Sequence, residues 1–109
     1  MARFDIHRNT GKQRKVIPFV VVVQSSAYET SRRRVVVSLV NRDAITQFTP
    51  LPPSPLNPCF TIAEVEVVLN PLEIVSIPVE SLGERIGSLV ERSDQVIAVL
   101  DKLFARARR

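Results

Sequence analysis

A thiolate nucleophile needs a base within hydrogen-bond reach, and this sequence holds one candidate of each kind, Cys59 and His7. The stretch Pro58-Cys59-Phe60-Thr61-Ile62 reads as a strand running into a core, where a free cysteine behaves as a small buried hydrophobe. His7 closes a terminal strand next to Arg8 and reads as a surface residue. With no second His and no second Cys, a tight zinc site lacks its ligands, and no cofactor is expected. Glu64 and Glu66 stand two apart on a strand, so they share one face, which is expected to be solvated. Glu84, Glu91, Asp94 and Asp101 read as helix surface in the same way. Gly11, Gly83 and Gly87 form no phosphate-cradling motif. These residues point away from an enzyme.

The run Arg32-Arg33-Arg34 is the remaining chemical feature. Arginine recognises phosphate through two parallel hydrogen bonds, so the run could line a polyanion groove; on a strand edge it could equally discourage unwanted pairing. Charge is unevenly spread. Residues 1–34 carry eight basic and two acidic side chains, residues 35–101 three and nine, and residues 102–109 four and none. With one Tyr, no Trp and five Phe there is little aromatic surface for base stacking. A protein partner is therefore expected for the basic ends, and no sequence-specific nucleic acid.

The elements that must position these residues follow from periodicity. Ala2, Phe4 and Ile6 alternate with Arg3, Asp5 and His7, the period of a strand with one face buried. A polar loop, Arg8 to Lys15, leads to Val16–Ser25, so nearly all apolar that both faces are expected to be covered. A turn, Ser26 to Arg32, precedes a third strand, Arg33–Val40. From Asn41 to Pro58 five prolines fix φ and remove donors, which makes a loop, with a helical turn at Asp43–Phe48. Phe60–Asn70 and Leu72–Pro78 read as two strands joined by a turn at Asn70-Pro71. Ile86, Leu89, Val90, Val96, Ile97, Leu100, Leu103 and Phe104 then recur at helical spacing, with Ser93 and Asp94 as starters.

At 109 residues and 45% apolar content the chain suits one domain with a modest core, residues 1–109. Its longest apolar stretch, Val16–Val23, is interrupted by Pro18 and far below the roughly 18 residues of a membrane span. The basic start and Ser25-Ser26-Ala27 superficially copy a secretory signal, but Asp5, Pro18 and the β-branched Val20–Val23 do not suit one. The expectation is a cytoplasmic protein without membrane contact.

The order of residues carries a further signal. Val22-Val23-Gln24-Ser25, Glu29-Thr30 and Arg33-Arg34-Val35-Val36 resemble the second and third strands of the CcdB toxins. Leu56, Pro58, Ile62, then Ser76-Ile77-Pro78-Val79, Leu82-Gly83-Glu84, Leu89, Arg92 and Leu103-Phe104 look like the rest of that family. The resemblance implies a mainly β fold with one C-terminal helix, an SH3-like antiparallel barrel, in a homodimer. It implies the toxin of a type II toxin–antitoxin module that binds the A subunit of DNA gyrase and traps its cleaved-DNA complex. A CcdA-like antitoxin would wrap the toxin and remove it.

Carried over by position, the gyrase-binding residues are Asp101, Phe104, Ala105, Arg106 and Ala107, and the antitoxin-binding residues are Ala27, Tyr28, Asp101 and Phe104. The family ends in Trp-Gly-Ile where this chain has Ala105, Arg106 and Ala107, followed by Arg108 and Arg109. An alanine supplies neither the area nor the cation–π attraction of an indole. Phe104 can be a contact residue or plain helix core, and Tyr28 a contact residue or a ring folded onto its own loop. The same barrel also serves MazF-type endoribonucleases, in which case Arg32 to Arg34 would hold phosphate, and a non-toxic homologue that still captures an antitoxin is a third reading.

Overall fold

The computed structural model describes residues 2–44 and 57–104. Six antiparallel strands form one sheet: β1 (Asp5–Arg8), β2 (Phe19–Val22), β3 (Arg33–Asn41), β4 (Cys59–Ile62), β5 (Val65–Pro78) and β6 (Arg85–Ser88), in the order β4-β5-β3-β2-β1-β6. The sheet curls into a nearly closed SH3-like barrel, and a long helix, α1 (Ser93–Phe104), follows it. Among the described residues no helix is long and apolar enough to cross a membrane.

The unbroken apolar character of β2 has the expected cause. Phe19, Val21 and Val23 enter the main core with Val37, Leu39, Val67, Leu69 and, from α1, Val96 and Val99. The alternate residues Val20 and Val22 join Val36 in a second cluster on the opposite face, against which Ile77 and Leu82 pack. A strand covered on both sides has no place for polar side chains, so alternation disappears from its sequence.

Four expectations are corrected. First, Phe60–Asn70 is not one strand. It folds back at Ala63-Glu64, whose φ angles of 50° and 68° make a two-residue hairpin between the paired Ile62 and Val65. Glu64 thus sits in a turn while Glu66 lies on β5, where it meets Arg42 at 3.5 Å. Second, Asn70-Pro71 does not end a strand. β5 continues through it, and the register against β3 slips between Val37 and Ser38, which face Ile74 and Asn70. The residues between bulge out of the ladder, which gives proline a position that needs no donor.

Third, the helical spacing begins too early in the sequence. Ile86 lies on β6, Val90 in a 3-10 turn (Val90–Arg92), and α1 starts at Ser93. Glu84, expected on that helix, precedes β6 and meets Arg8 at 3.4 Å. Fourth, the two candidate catalytic residues exchange environments: His7 is buried and Cys59 is exposed. Of the helical turn expected at Asp43–Phe48, residues 43 and 44 are helical; residues 45–48, the prolines at 50, 52, 53 and 55, and Ala105, Arg106, Ala107, Arg108 and Arg109 lie outside the described residues.

Candidate functional site

The loop between β2 and β3 carries the first group of candidate contacts. Ser25 Oγ accepts a hydrogen bond from the backbone N–H of Ala27 at 3.2 Å and starts a 3-10 turn, Ser26–Tyr28. Gln24 braces the loop from inside: its amide nitrogen donates to the Tyr28 carbonyl at 3.0 Å, and its amide oxygen accepts from the Val35 N–H at 2.9 Å. Arg34 does the rest. Its guanidinium is buried and donates to the backbone carbonyls of Glu29, Ser31 and Arg33. A buried cation satisfied by three carbonyls is a structural brace, so the last residue of the arginine run is not available for phosphate.

The brace presents Tyr28 outward, with 65% of its surface exposed, so its ring is not folded away onto its own loop. Ala27 beside it is also exposed. Arg33, at the start of β3, reaches across to β5, donating from Nε to Ser76 Oγ at 2.9 Å and from Nη2 to the Ser76 carbonyl at 2.6 Å. Between them opens a cleft of about 480 Å³, walled by Tyr28, Arg33, Val35 and Ser76 among others.

The second group is the end of α1. Phe104 belongs to the apolar spacing of the helix yet is 73% exposed, so it is not part of the core that Val96 and Val99 fill. Asp101, one turn earlier, is exposed on the same side. A cleft of about 320 Å³ lies beside them, lined by Leu103, Lys102 and Val99 of α1 and by Pro71 and Leu72 of the β5 bulge. Leu72 is 80% exposed. The sequence offered no reason to single it out, since a leucine beginning a strand ordinarily enters a core; the bulge turns it to solvent. The cleft beside Tyr28 and the cleft beside α1 share no lining residue.

The catalytic candidates do not come together. His7 lies on β1 and Cys59 on β4, with β2, β3 and β5 between them in the sheet order. His7 Nδ1 donates to the Gly83 carbonyl at 2.9 Å, and its Nε2 is buried without a partner among the described residues. Cys59 Sγ faces solvent 4.0 Å from the Asn57 carbonyl. Among the described residues no group of three or more His, Cys, Asp or Glu side chains is gathered as metal ligands.

Comparison with solved structures gives the architecture a setting. An endoribonuclease in complex with its cognate antitoxin, from a mycobacterial species, superposes with a TM-score of 0.73 over 100% of this chain and 99% of its own, at 13% identity. A second mycobacterial endoribonuclease gives 0.72 over 100% and 95%, at 12% identity. Likeness at such identities is likeness of fold, since one barrel hosts unrelated sites. No curated protein matches the chain. The family model described as CcdB protein, in contrast, matches residues 3–105. That span takes in all six strands, the braced turn that presents Tyr28 and the whole of α1, and a match of this extent on a barrel ending in one helix makes the chain a member of the CcdB toxin family.

Proposed function

We propose that this chain is the toxin of a type II toxin–antitoxin module, a single-domain cytoplasmic protein acting as a homodimer, which arrests growth by binding the A subunit of DNA gyrase and trapping the cleaved-DNA complex. Membership of the CcdB family supports the toxin role. The observation that carries the binding mechanism is Phe104: a large aromatic ring, 73% exposed, at the end of a helix whose Val96, Ile97, Val99 and Leu100 pack inward. Exposed aromatic anchors are what protein interfaces are built around. Asp101 stands one turn away, and Ala105, Arg106 and Ala107 continue the chain from Phe104.

A CcdA-like antitoxin is the natural second partner, received by Ala27, Tyr28, Asp101 and Phe104. In favour stands the mycobacterial fold relative, which is itself held by its cognate antitoxin. The exposed apolar side chains Leu72, Val75 and Val90 supply surface that a second copy of the chain would cover. Against a thiolate–imidazole pair in particular stands the placement of His7 on β1 and Cys59 on β4, with three strands between them in the sheet order.

The test is induction of the chain in a bacterial host, followed by recovery of covalent gyrase–DNA complexes and sequencing of messenger RNA ends. Accumulated complexes with intact messages are expected. Cut messages without complexes would transfer the chain to the endoribonuclease reading, and no arrest at all to the non-toxic one.

A further inference from the structure

Arg33 is a cation held in place and left half free. Its Nε and Nη2 are fixed on Ser76, through the hydroxyl and the backbone carbonyl, at 2.9 and 2.6 Å. Neither bond involves a carboxylate, and no acidic side chain pairs with Arg33 among the described residues. Nη1 makes no hydrogen bond among them and belongs to a side chain that lines the 480 Å³ cleft. Tyr28 and Val35 form the apolar part of that cleft, and the hydroxyls of Ser25 and Ser31 its polar part.

The cleft is also preformed. Gln24 ties the Tyr28 carbonyl to the Val35 N–H, Ser31 Oγ accepts from the Arg33 N–H at 3.1 Å, and the buried Arg34 locks three carbonyls of the same loop. A partner meeting this surface does not have to order it, which removes part of the entropic cost of association.

We propose that Arg33 is the receptor for a carboxylate side chain of an acidic partner segment, with Tyr28 and Val35 taking the apolar residue beside it. The inference rests on the proposed antitoxin-binding role of Ala27 and Tyr28 and names the chemistry that role requires. A peptide suits the cleft better than a nucleic acid. Binding a phosphate backbone takes several cations spaced along its path, whereas Arg34 is consumed internally and Arg33 has one edge fixed on Ser76. One free guanidinium edge beside an aromatic ring matches a single acidic side chain with an apolar neighbour.

Binding is measured by fluorescence polarisation on the full chain at low and physiological salt. The probes are a labelled, end-blocked dodecapeptide repeating glutamate, leucine and serine, its glutamine counterpart, and a labelled dodecaribonucleotide. The glutamate peptide is expected to bind saturably and about tenfold more tightly than the glutamine peptide, as a charge-assisted contact requires. Arg33→Gln should remove that preference, Arg33→Lys should keep part of it, and Ser76→Ala should weaken it by freeing the guanidinium. Arg32→Gln should change it less than about twofold, as expected for an exposed charge outside the cleft. Thermal unfolding of each variant checks that the barrel is intact.

No saturable peptide binding, a preference that survives Arg33→Gln in a folded protein, or Arg33-dependent binding of the ribonucleotide in place of the peptide overturns the proposal. Growth arrest on induction is scored separately. A chain that binds the peptide through Arg33 but arrests nothing loses the toxin reading and keeps this one, and the reverse result does the opposite.

Discussion

His7 Nδ1 lies 2.9 Å from the carbonyl oxygen of Gly83, seventy-six residues further along the chain. Because a carbonyl only accepts, Nδ1 is the donor in this bond. The contact belongs to a seam where the segment before β6 crosses the end of β1: the Gly83 N–H donates to the Arg8 carbonyl at 3.2 Å and the Arg8 N–H to the Glu84 carbonyl at 2.9 Å. A Cβ on Gly83 would stand 2.6 Å from the Arg8 carbonyl oxygen, closer than side-chain carbons approach backbone. Gly83→Ala is therefore expected to destabilise by about 1–3 kcal/mol through forced separation of the seam. His7→Ala should cost about 2–3 kcal/mol by opening a cavity and leaving the Gly83 carbonyl without its donor. Since both act on one contact, urea unfolding of the double variant should show less than the sum.

The hairpin at Ala63-Glu64 stores backbone strain. Both residues are left-handed, at φ 50° and 68°, and each costs on the order of 1 kcal/mol in that region when it is neither Gly nor Asn. Replacing the pair by Asn-Gly should raise stability by about 1 kcal/mol. Urea titration should show a higher midpoint at unchanged slope; a lower midpoint would mean that the turn is not of this type.

Cys59 faces solvent on β4. Cys59→Ser is expected to change stability by less than about 0.5 kcal/mol, the usual effect of a surface substitution, and to leave growth arrest intact. The native protein should react with one equivalent of a thiol reagent without denaturant. Loss of arrest in a folded Cys59→Ser variant would mean that the thiol takes part in the activity.

Phe104 and Val99 should separate function from stability. Val99 is 1% exposed, so Val99→Ala should cost about 2 kcal/mol by loss of buried methyl groups and the cavity they leave. Phe104→Ala removes a ring that is mostly in water. Stability should move by less than about 0.5 kcal/mol, while binding to the gyrase A subunit, measured by surface plasmon resonance, should fall at least tenfold, as for an interface anchor.

The chain beyond Phe104 offers the converse test. Ala105→Trp, with Gly and Ile after it in place of Arg106 and Ala107 and with Arg108 and Arg109 removed, restores the family's ending. It should strengthen gyrase binding and make it less sensitive to salt, because an indole buries area whereas exposed arginines are screened over about 8 Å at physiological ionic strength. Deletion of residues 105–109 should abolish gyrase binding and leave the unfolding midpoint where it was.

Local pattern alone determined much of this protein. The β-branched run of β2, the valines of β3 and the apolar spacing of Val96, Ile97 and Leu100 declare strand, strand and helix, because a side-chain period is a property of neighbours in sequence. The order of short segments from Val22 to Phe104 carried the family. What required the tertiary structure was everything set by a distant cover or a change of register. His7 reads as a surface residue because it alternates with the apolar Phe4 and Ile6 and adjoins Arg8 at the end of its strand, and it is buried because Gly83 and Leu82 arrive over the face of β1 and β2. Cys59 reads as core because Phe60 and Ile62 are apolar, yet a strand alternates, and Phe60 takes the inside place. Ala63-Glu64 carries no turn residue; the hairpin forms there because β5 gains more by pairing with both β3 and β4 than the turn costs in strain. The arginine run divides in the same way. Three identical residues in sequence become one buried brace in Arg34, one cation fixed on Ser76 in Arg33 and one exposed charge in Arg32, because a strand sends successive side chains to opposite faces and only the folded sheet decides what waits there.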